Sequence, residues 1–340
     1  MSAASVSTAP ACAAPPAFAE LGVASNFSFL RGASHADELA ARAAALGLAA
    51  IGVADRNSLA GAVRAHVAAK ELGLAFVVGA RLATKDGIEL LAWPQDRAAY
   101  GRLCTLLTLG NRRAPKGQCH LSLDDILAHA EGMWAALIPP EQSDSVAATL
   151  VRLRSAFGAR LSLLAVPLLR GDDRARLWRL AEIARAAGVP LLASNDVLMH
   201  APERRPLADV LACIREHCTI DEAGLKLAAN AERHLKGPAE MAALFADHPE
   251  ALARSLEIAD ACRFSLDELR YEYPAEPVPE GSTAQAEMER LAWEGAAARY
   301  PEGVPDKVRA QIAHEFALID RLGYAPYFLT VHDIVRFAKG

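Results

Sequence analysis

Short apolar stretches alternate with amphipathic stretches through the first part of the chain. Most of the segments between the apolar stretches repeat apolar residues at helical spacing, as in His35–Leu46, Leu59–Leu72, Leu123–Ala130 and Arg174–Ala187. Strands that alternate with helices indicate a mainly parallel sheet, and seven strands over roughly 200 residues favour an incomplete barrel over a short open sheet. The predicted strands are Phe18–Val23, Ala50–Ala54, Ala75–Ala83, Ile88–Trp93, Met133–Ile138, Leu161–Leu169 and Pro190–Ala193.

The start of the first predicted helix carries a capping signal. Ser34 can cap the helix, and Asp37 follows three residues later in the arrangement of a capping box.

After about residue 200 the pattern becomes purely helical, at Leu207–His217, Ala239–Phe245 and Pro249–Cys262. The proline-rich run YEYPAEPVPE (Tyr271–Glu280) then favours an extended linker, because proline disrupts helices. Three further helices are predicted at Ala284–Ala298, Pro305–Leu322 and Pro326–Lys339. We therefore predict a disordered tail (1–17), a barrel domain with C-terminal helices (18–270), a linker (271–282) and a truncated second domain (283–340).

Composition narrows the class of protein. The 340 residues carry a net charge of -5, so any nucleic-acid binding must use a local patch rather than the whole surface. Six cysteines are present without a C-x-x-C pair, which favours reduced thiols. No apolar run reaches the roughly 18 residues of a spanning helix. A soluble, cytoplasmic protein is expected, without membrane contact.

Few residues with metal-ligand chemistry follow the predicted strands. In a barrel of parallel strands, functional residues lie at the C-terminal ends of the strands, and only Asp55, Asp196 and His200 there have side chains that suit hydrolytic metals. Arg56 and Arg81 also place positive charge at these ends. We predict that the two aspartates serve loops or helix caps and that His200 is a surface turn residue.

A basic segment without acidic residues runs from Arg97 to Leu123. Within it, the loop-like stretch Asn111–Gly117 carries Arg112, Arg113 and Lys116. This patch either contacts phosphates or a partner protein, or is a solvated basic loop.

Several segments resemble the error-prone, DnaE-like branch of the bacterial C-family DNA polymerases, and the likeness covers about residues 18–340. The closing run LGYAPYFLTVHDIVRFAKG (Leu322–Gly340) resembles the entry into the palm of that family. The other segments are SNFSFLRGASHADEL (Ser25–Leu39), GVADRNSLAGAVRAH (Gly52–His66), NRRAPKG (Asn111–Gly117), SNDVLMHAPERRPLADVLACIREHCTIDEAG (Ser194–Gly224), NAERHLK (Asn230–Lys236) and RFSLDELRYEYP (Arg263–Pro274).

The resemblance implies a distorted, TIM-like (β/α)7 barrel of the PHP (polymerase and histidinol phosphatase) type. A helical segment and the first helices of a polymerase palm would follow it. At positions that hold metal ligands in active PHP domains, this chain has Gly22, Ala24, Arg56, Arg81 and Leu198, whereas Asp55 and Asp196 remain. No metal, cofactor or catalytic residue is therefore expected in this chain, and the Mg²⁺-binding aspartates of the polymerase would lie beyond Gly340.

The resemblance implies a translesion DNA polymerase, a nucleotidyltransferase of DNA replication, repair and damage-induced (SOS) mutagenesis. Its expected partners are DNA and the other subunits of a mutagenic polymerase complex, with the sliding clamp as a further candidate. The PHP domain would be a non-catalytic structural or docking module. The alternative is a metal-dependent phosphoesterase or 3′–5′ proofreading exonuclease of the PHP type.

Overall fold

The structure is a computed structural model that describes residues 16–140, 146–270 and 278–339. The chain divides into two compact units, Met1–Glu268 and Leu269–Gly340. Residues 1–15 of the predicted tail and 271–277 of the predicted linker lie outside the described residues.

The first unit contains one seven-stranded sheet in which the strands follow one another in chain order. Beyond the last strand, Val197 donates to the Gly22 carbonyl and accepts from the Ala24 amide, both at 2.9 Å. This bridge returns the end of the sheet to its first strand, and the predicted distorted seven-stranded barrel is confirmed. The strands are β1 (Ala19–Val23), β2 (Ala50–Arg56), β3 (Ala75–Ala83), β4 (Glu89–Pro94), β5 (Met133–Ile138), β6 (Leu161–Ala165) and β7 (Leu191–Ala193).

The direction of β4 departs from a parallel barrel, because β4 is antiparallel to both β3 and β5. Only five residues connect β3 to β4, in a turn where the Thr84 amide donates to the Ile88 carbonyl (2.9 Å). A parallel crossover needs a dozen or more residues, so this connection can only produce a hairpin. The predicted sixth strand was too long: it ends at Ala165, before Pro167, which has no amide hydrogen to donate.

The described residues of the first unit form ten α-helices that surround or extend the sheet. The sequence missed the long α3 and α5, and the cap predicted for the first helix was wrong. The helix starts after His35, whose amide donates to Glu38 (2.9 Å), while the Ser34 hydroxyl contacts His200 instead. The helices are α1 (Ala36–Ala45), α2 (Ala62–Glu71), α3 (Arg97–Arg112), α4 (Leu123–Ala128), α5 (Val146–Phe157), α6 (Asp173–Ala187), α7 (Arg205–Glu216), α8 (Ile220–Ala223), α9 (Pro238–Leu244) and α10 (Pro249–Ala261).

Alternate residues of the strands face two different cores. In β4, Leu90 packs into the cluster shared with the outer helices, whereas Leu91 and Trp93 belong to a second cluster. Ile258 of α10 joins this second cluster. The Trp93 indole donates to the Leu21 carbonyl at 3.1 Å, which satisfies its one polar atom inside the core. Because apolar side chains cover both faces of the sheet, polar groups are expected mainly at the ends of the strands.

The second unit is helical, with α11 (Ala284–Arg299), α12 (Asp306–Leu322) and α13 (Ala325–Lys339). The Thr283 hydroxyl caps α11 by accepting from the Ala286 amide (3.1 Å). Met288, Ala325 and Leu329 form its small buried core. Among the helices that the structure describes, none is both long enough and apolar enough to cross a membrane.

Candidate functional site

Asp55 lies at the C-terminal end of the barrel, where it holds the loop that joins β1 to α1. Its carboxylate accepts hydrogen bonds from the Ser25 amide (2.8 Å), the Ser25 hydroxyl (2.8 Å) and the Ser28 hydroxyl (2.6 Å). The side chain is buried, and this burial raises the pKa of Asp55, although the serine hydrogen bonds act in the opposite direction. These contacts orient the loop after β1.

Asp196, in the segment after β7, is bound by two guanidinium groups. Arg81 donates to one carboxylate oxygen at 2.9 Å and Arg233 donates to the other. Arg233 also donates through Nε to the Asp196 carbonyl (2.8 Å). Asp196 has a positive φ of 45°, which is unfavourable for a residue other than glycine, so these contacts hold it in a strained conformation.

Glu89 links Arg81 to a third guanidinium. It accepts from Arg81 Nε at 2.7 Å and from Arg56. Burial alone would raise the pKa of Glu89, but the charges of Arg81 and Arg56 outweigh that effect and lower it. The result is a continuous row of alternating charges from Arg56 through Glu89, Arg81 and Asp196 to Arg233.

The remaining predicted positions contribute no ligand atoms to this row. Gly22 and Ala24 are buried, and a Cβ on Gly22 would come within 2.6 Å of the Ser194 hydroxyl. The Leu198 amide donates to the Arg233 carbonyl (2.9 Å). His200 lies in a bend and is half-buried: its Nδ1 lies 2.9 Å from the Ser34 hydroxyl, and burial lowers its pKa.

Glu20, on β1, is a buried carboxyl group that sequence reasoning missed. It accepts from the Ser194 hydroxyl (2.6 Å), the Asn195 amide (2.7 Å) and the Gly22 amide (2.9 Å). Burial raises the pKa of Glu20 to about 6, against the lowering effect of these hydrogen bonds. In the sequence, the only sign of this group was a charged residue within an otherwise apolar strand.

Known proteins share both parts of this architecture. Residues 20–185 match the family described as PHP domain, and residues 286–340 match the family described as Bacterial DNA polymerase III alpha NTPase domain. The chain contains a PHP domain. The resemblance predicted from the sequence is thereby confirmed.

Curated relatives align with nearly the whole chain. The error-prone DNA polymerase of Caulobacter vibrioides is 52% identical over 327 residues, which cover 96% of this chain and 30% of that protein. The error-prone DNA polymerase of Rhodopseudomonas palustris (strain BisB5) is 52% identical over 334 residues, covering 95% of this chain and 30% of that protein. The chain thus spans about 30% of the length of these curated relatives.

One solved structure that is similar to part of the chain is named as a metal-dependent phosphoesterase of Bifidobacterium adolescentis. It is 17% identical, with a TM-score of 0.41, and the match covers 54% of this chain and 88% of that one.

One group of residues in the described part of the first unit has the spacing of metal ligands, but a lysine ammonium lies among them. Ligand atoms of Glu232, His234 and Glu240 lie within 4.8 Å of one another. The buried Lys236 ammonium lies 2.7 Å from Glu232, 3.3 Å from Glu240 and 3.3 Å from His234 Nε2. The lysine therefore supplies a positive charge beside both carboxylates, and a metal ion at this group would have to compete with it.

One arginine of the predicted basic patch is already paired with a carboxylate. Arg113 donates to both carboxylate oxygens of Asp125 (2.9 and 2.8 Å), the residue that completes the capping box of α4. Arg112 belongs to the last turn of α3 and not to a loop. Arg112 and Lys116 are exposed and form no ion pair with another described residue, so they are the charges available to a ligand.

Proposed function

We propose that this chain is part of an error-prone DNA polymerase and that its PHP domain is a non-catalytic structural and partner-docking module. The identity of 52% to the Caulobacter vibrioides enzyme over 96% of the chain supports the first part. The proposed polymerase acts in translesion synthesis with Mg²⁺ bound in its palm, outside this chain. Its proposed partners are DNA, the other subunits of a mutagenic polymerase complex and the sliding clamp.

The arginines on Asp196 and Glu89 carry the proposal of a non-catalytic PHP domain. Hydrolytic metals need carboxylate and imidazole ligands that are free to bind them. Here Arg81 contacts both carboxylates, and guanidinium groups stay protonated at any physiological pH. Asp55 is likewise engaged by serine hydroxyls and a backbone amide. A metal cluster would have to displace all of these partners.

Metal analysis of the purified full chain tests this proposal. After incubation with Zn²⁺ or Mn²⁺ and removal of free ions, we expect less than one tightly bound ion per chain, and the same content in Asp55→Ala and Asp196→Ala. Two or three ions per chain, lost on either substitution, would refute a non-catalytic PHP domain. Metal-dependent turnover of a phosphodiester that Asp55→Ala abolishes would favour the phosphoesterase or exonuclease alternative.

DNA contact through the basic patch is a separate part of the proposal. The exposed Arg112 and Lys116 support it, because phosphate contacts are made by such freely accessible charges. Binding of the chain to a primer–template should weaken with salt and on reversal of these two charges. If no binding is detected at low salt, the patch does not contact DNA in this chain.

A further inference from the structure

The end of α7 returns the chain across the last turn of the helix. The His217 amide donates to the Ile214 carbonyl (3.4 Å), and the Cys218 amide donates to the Cys213 carbonyl (3.1 Å). His217 has a positive φ of 52°, the left-handed conformation that this type of helix end requires. In such a Schellman motif, the residue after the left-handed position frequently packs against the helix residue five positions earlier. Here both of these residues are cysteines.

The two thiols line one pocket and interact with each other. The pocket beside α7 has a volume of about 470 Å³, and the exposed side chains of Ile214 and Ile220 line it together with Cys213 and Cys218. Cys213 is buried, whereas Cys218 is half-buried. Burial raises the pKa of Cys213, and the charge and hydrogen bond of the neighbouring Cys218 thiol raise it further. A small reagent can therefore reach the pair from the pocket through Cys218.

Other contacts hold the backbone on both sides of this pair. On the helix side, Arg215 Nη1 donates to the Leu30 carbonyl (2.8 Å), which ties the last turn of α7 to the loop after β1. On the other side, the Glu222 carboxylate accepts from the Thr219 amide (3.1 Å) and hydroxyl (2.9 Å) in the capping box of α8. A disulfide forms without large backbone movement only between cysteines that the fold already brings together. The cysteines at the end of α7 meet that condition.

The other described cysteines have different neighbours. Cys262 lies in the core, with its Sγ 3.7 Å from the Trp93 carbonyl oxygen. Cys104 interacts with a tyrosine hydroxyl, and Cys119 lies so close to Gly110 that a Cβ there would come within 2.5 Å of its Sγ. These three thiols therefore serve as internal controls for the pair.

From this arrangement we infer that Cys213 and Cys218 form a modification site, a dithiol that a peroxide oxidises to a disulfide. The Cys218 thiolate attacks one peroxide oxygen, the O–O bond breaks, and a sulfenic acid forms with release of water. The Cys213 sulfur then attacks the Cys218 sulfur, and the departing hydroxide takes up the thiol proton to give a second water. The two thiols lose two electrons and two protons in total. This inference goes beyond the proposed function, because it assigns a reaction to residues that the proposal does not use.

Peptide mapping of the full chain tests the site directly. The reduced chain is treated with one equivalent of hydrogen peroxide in EDTA, its remaining thiols are alkylated, and it is digested with trypsin. Trypsin cleaves after Arg215, between the two cysteines, so a disulfide joins two peptides that are otherwise separate (residues 205–215 and 216–226). We expect this linked pair as the main oxidised product and a loss of two of the six thiols per chain. Dithiothreitol should restore both thiols, which distinguishes a disulfide from a sulfinic acid.

Two substitutions complete the test. Cys218→Ser should abolish the linked peptides and keep its remaining thiols under the same treatment. The matched control is Cys119→Ser, which removes another half-buried cysteine and should still lose two thiols and yield the linked pair. The inference is overturned if all thiols of the wild type survive, if Cys218→Ser loses as many thiols as the wild type, or if disulfides of Cys104 or Cys119 form in equal yield.

Discussion

Substitution of Asp55 by alanine tests whether this aspartate has a structural role or serves as a metal ligand. The change leaves three donors without their acceptor: the Ser25 amide, the Ser25 hydroxyl and the Ser28 hydroxyl. A buried donor without a partner costs roughly 1–3 kcal/mol. The hydroxyls can rotate, and removal of a buried carboxylate relieves a desolvation cost. We therefore expect the free energy of unfolding to fall by about 3 kcal/mol in total.

Thermal and urea denaturation in the presence of EDTA measure this loss. For a unit of this size, about 3 kcal/mol corresponds to a Tm lower by roughly 6–12 °C. The matched control is Asp267→Ala, which removes an exposed carboxylate whose partners are Lys70 (2.7 Å) and His66 (3.3 Å). Because exposed ion pairs contribute little, the control should lose less than about 1 kcal/mol.

The reasoning is refuted if Asp55→Ala has the stability of the wild type in EDTA, or a higher one. A carboxylate kept for metal binding would behave in that way, since its removal from an unoccupied site relieves burial and repulsion. A loss equal to that of Asp267→Ala would also contradict the assigned role.

Three other predictions concern charged groups. Because burial raises the pKa of Glu20 from 4.5 to about 6, the folded chain holds a proton that the unfolded chain has lost in this range. The free energy of unfolding should thus decrease by about 2 kcal/mol as pH rises through this window. In urea titrations at different pH values, Glu20→Gln should lack that decrease. If the free energies of unfolding of the wild type and of Glu20→Gln changed with pH in parallel, the prediction would be contradicted. A double-mutant cycle of Arg81→Ala and Asp196→Ala should show coupling of about 1 kcal/mol, whereas additive losses would disprove a direct pair. Arg112→Gln should reduce the slope of log affinity for DNA against log salt by about 1, with a smaller change for Arg113→Gln, which Asp125 holds; equal effects would argue against this difference.

The hairpin of β3 and β4 was predictable from the sequence, because the short connection excludes a parallel crossover. The missed α3 was harder to predict. Its sixteen residues include Gly101, Gly110 and two threonines, which are weak helix formers. Burial of Leu103 and Leu106 and the Asp96 cap (2.8 Å to the Ala99 amide) stabilise it. Tertiary packing therefore overrode a weak local preference.

The sequence alone determined the number of strands, most helix positions and the small number of metal-type side chains at the strand ends. These features depend on residue type and on spacing between near neighbours, which local periodicity records. The sequence also placed Arg56 and Arg81 at the ends of the strands, but it did not show which residues they contact.

Only the tertiary structure decided which partners these charged side chains contact. Arg81 lies 115 positions from Asp196, and Glu89 reaches the mouth of the barrel because β4 runs in the opposite direction to its neighbours. Arg233 comes from a segment after the last strand. No local sequence pattern encodes these long-range contacts, because they depend on how the sheet curves and returns to its first strand. The pairing of these guanidinium groups with carboxylates is therefore a property of the folded barrel.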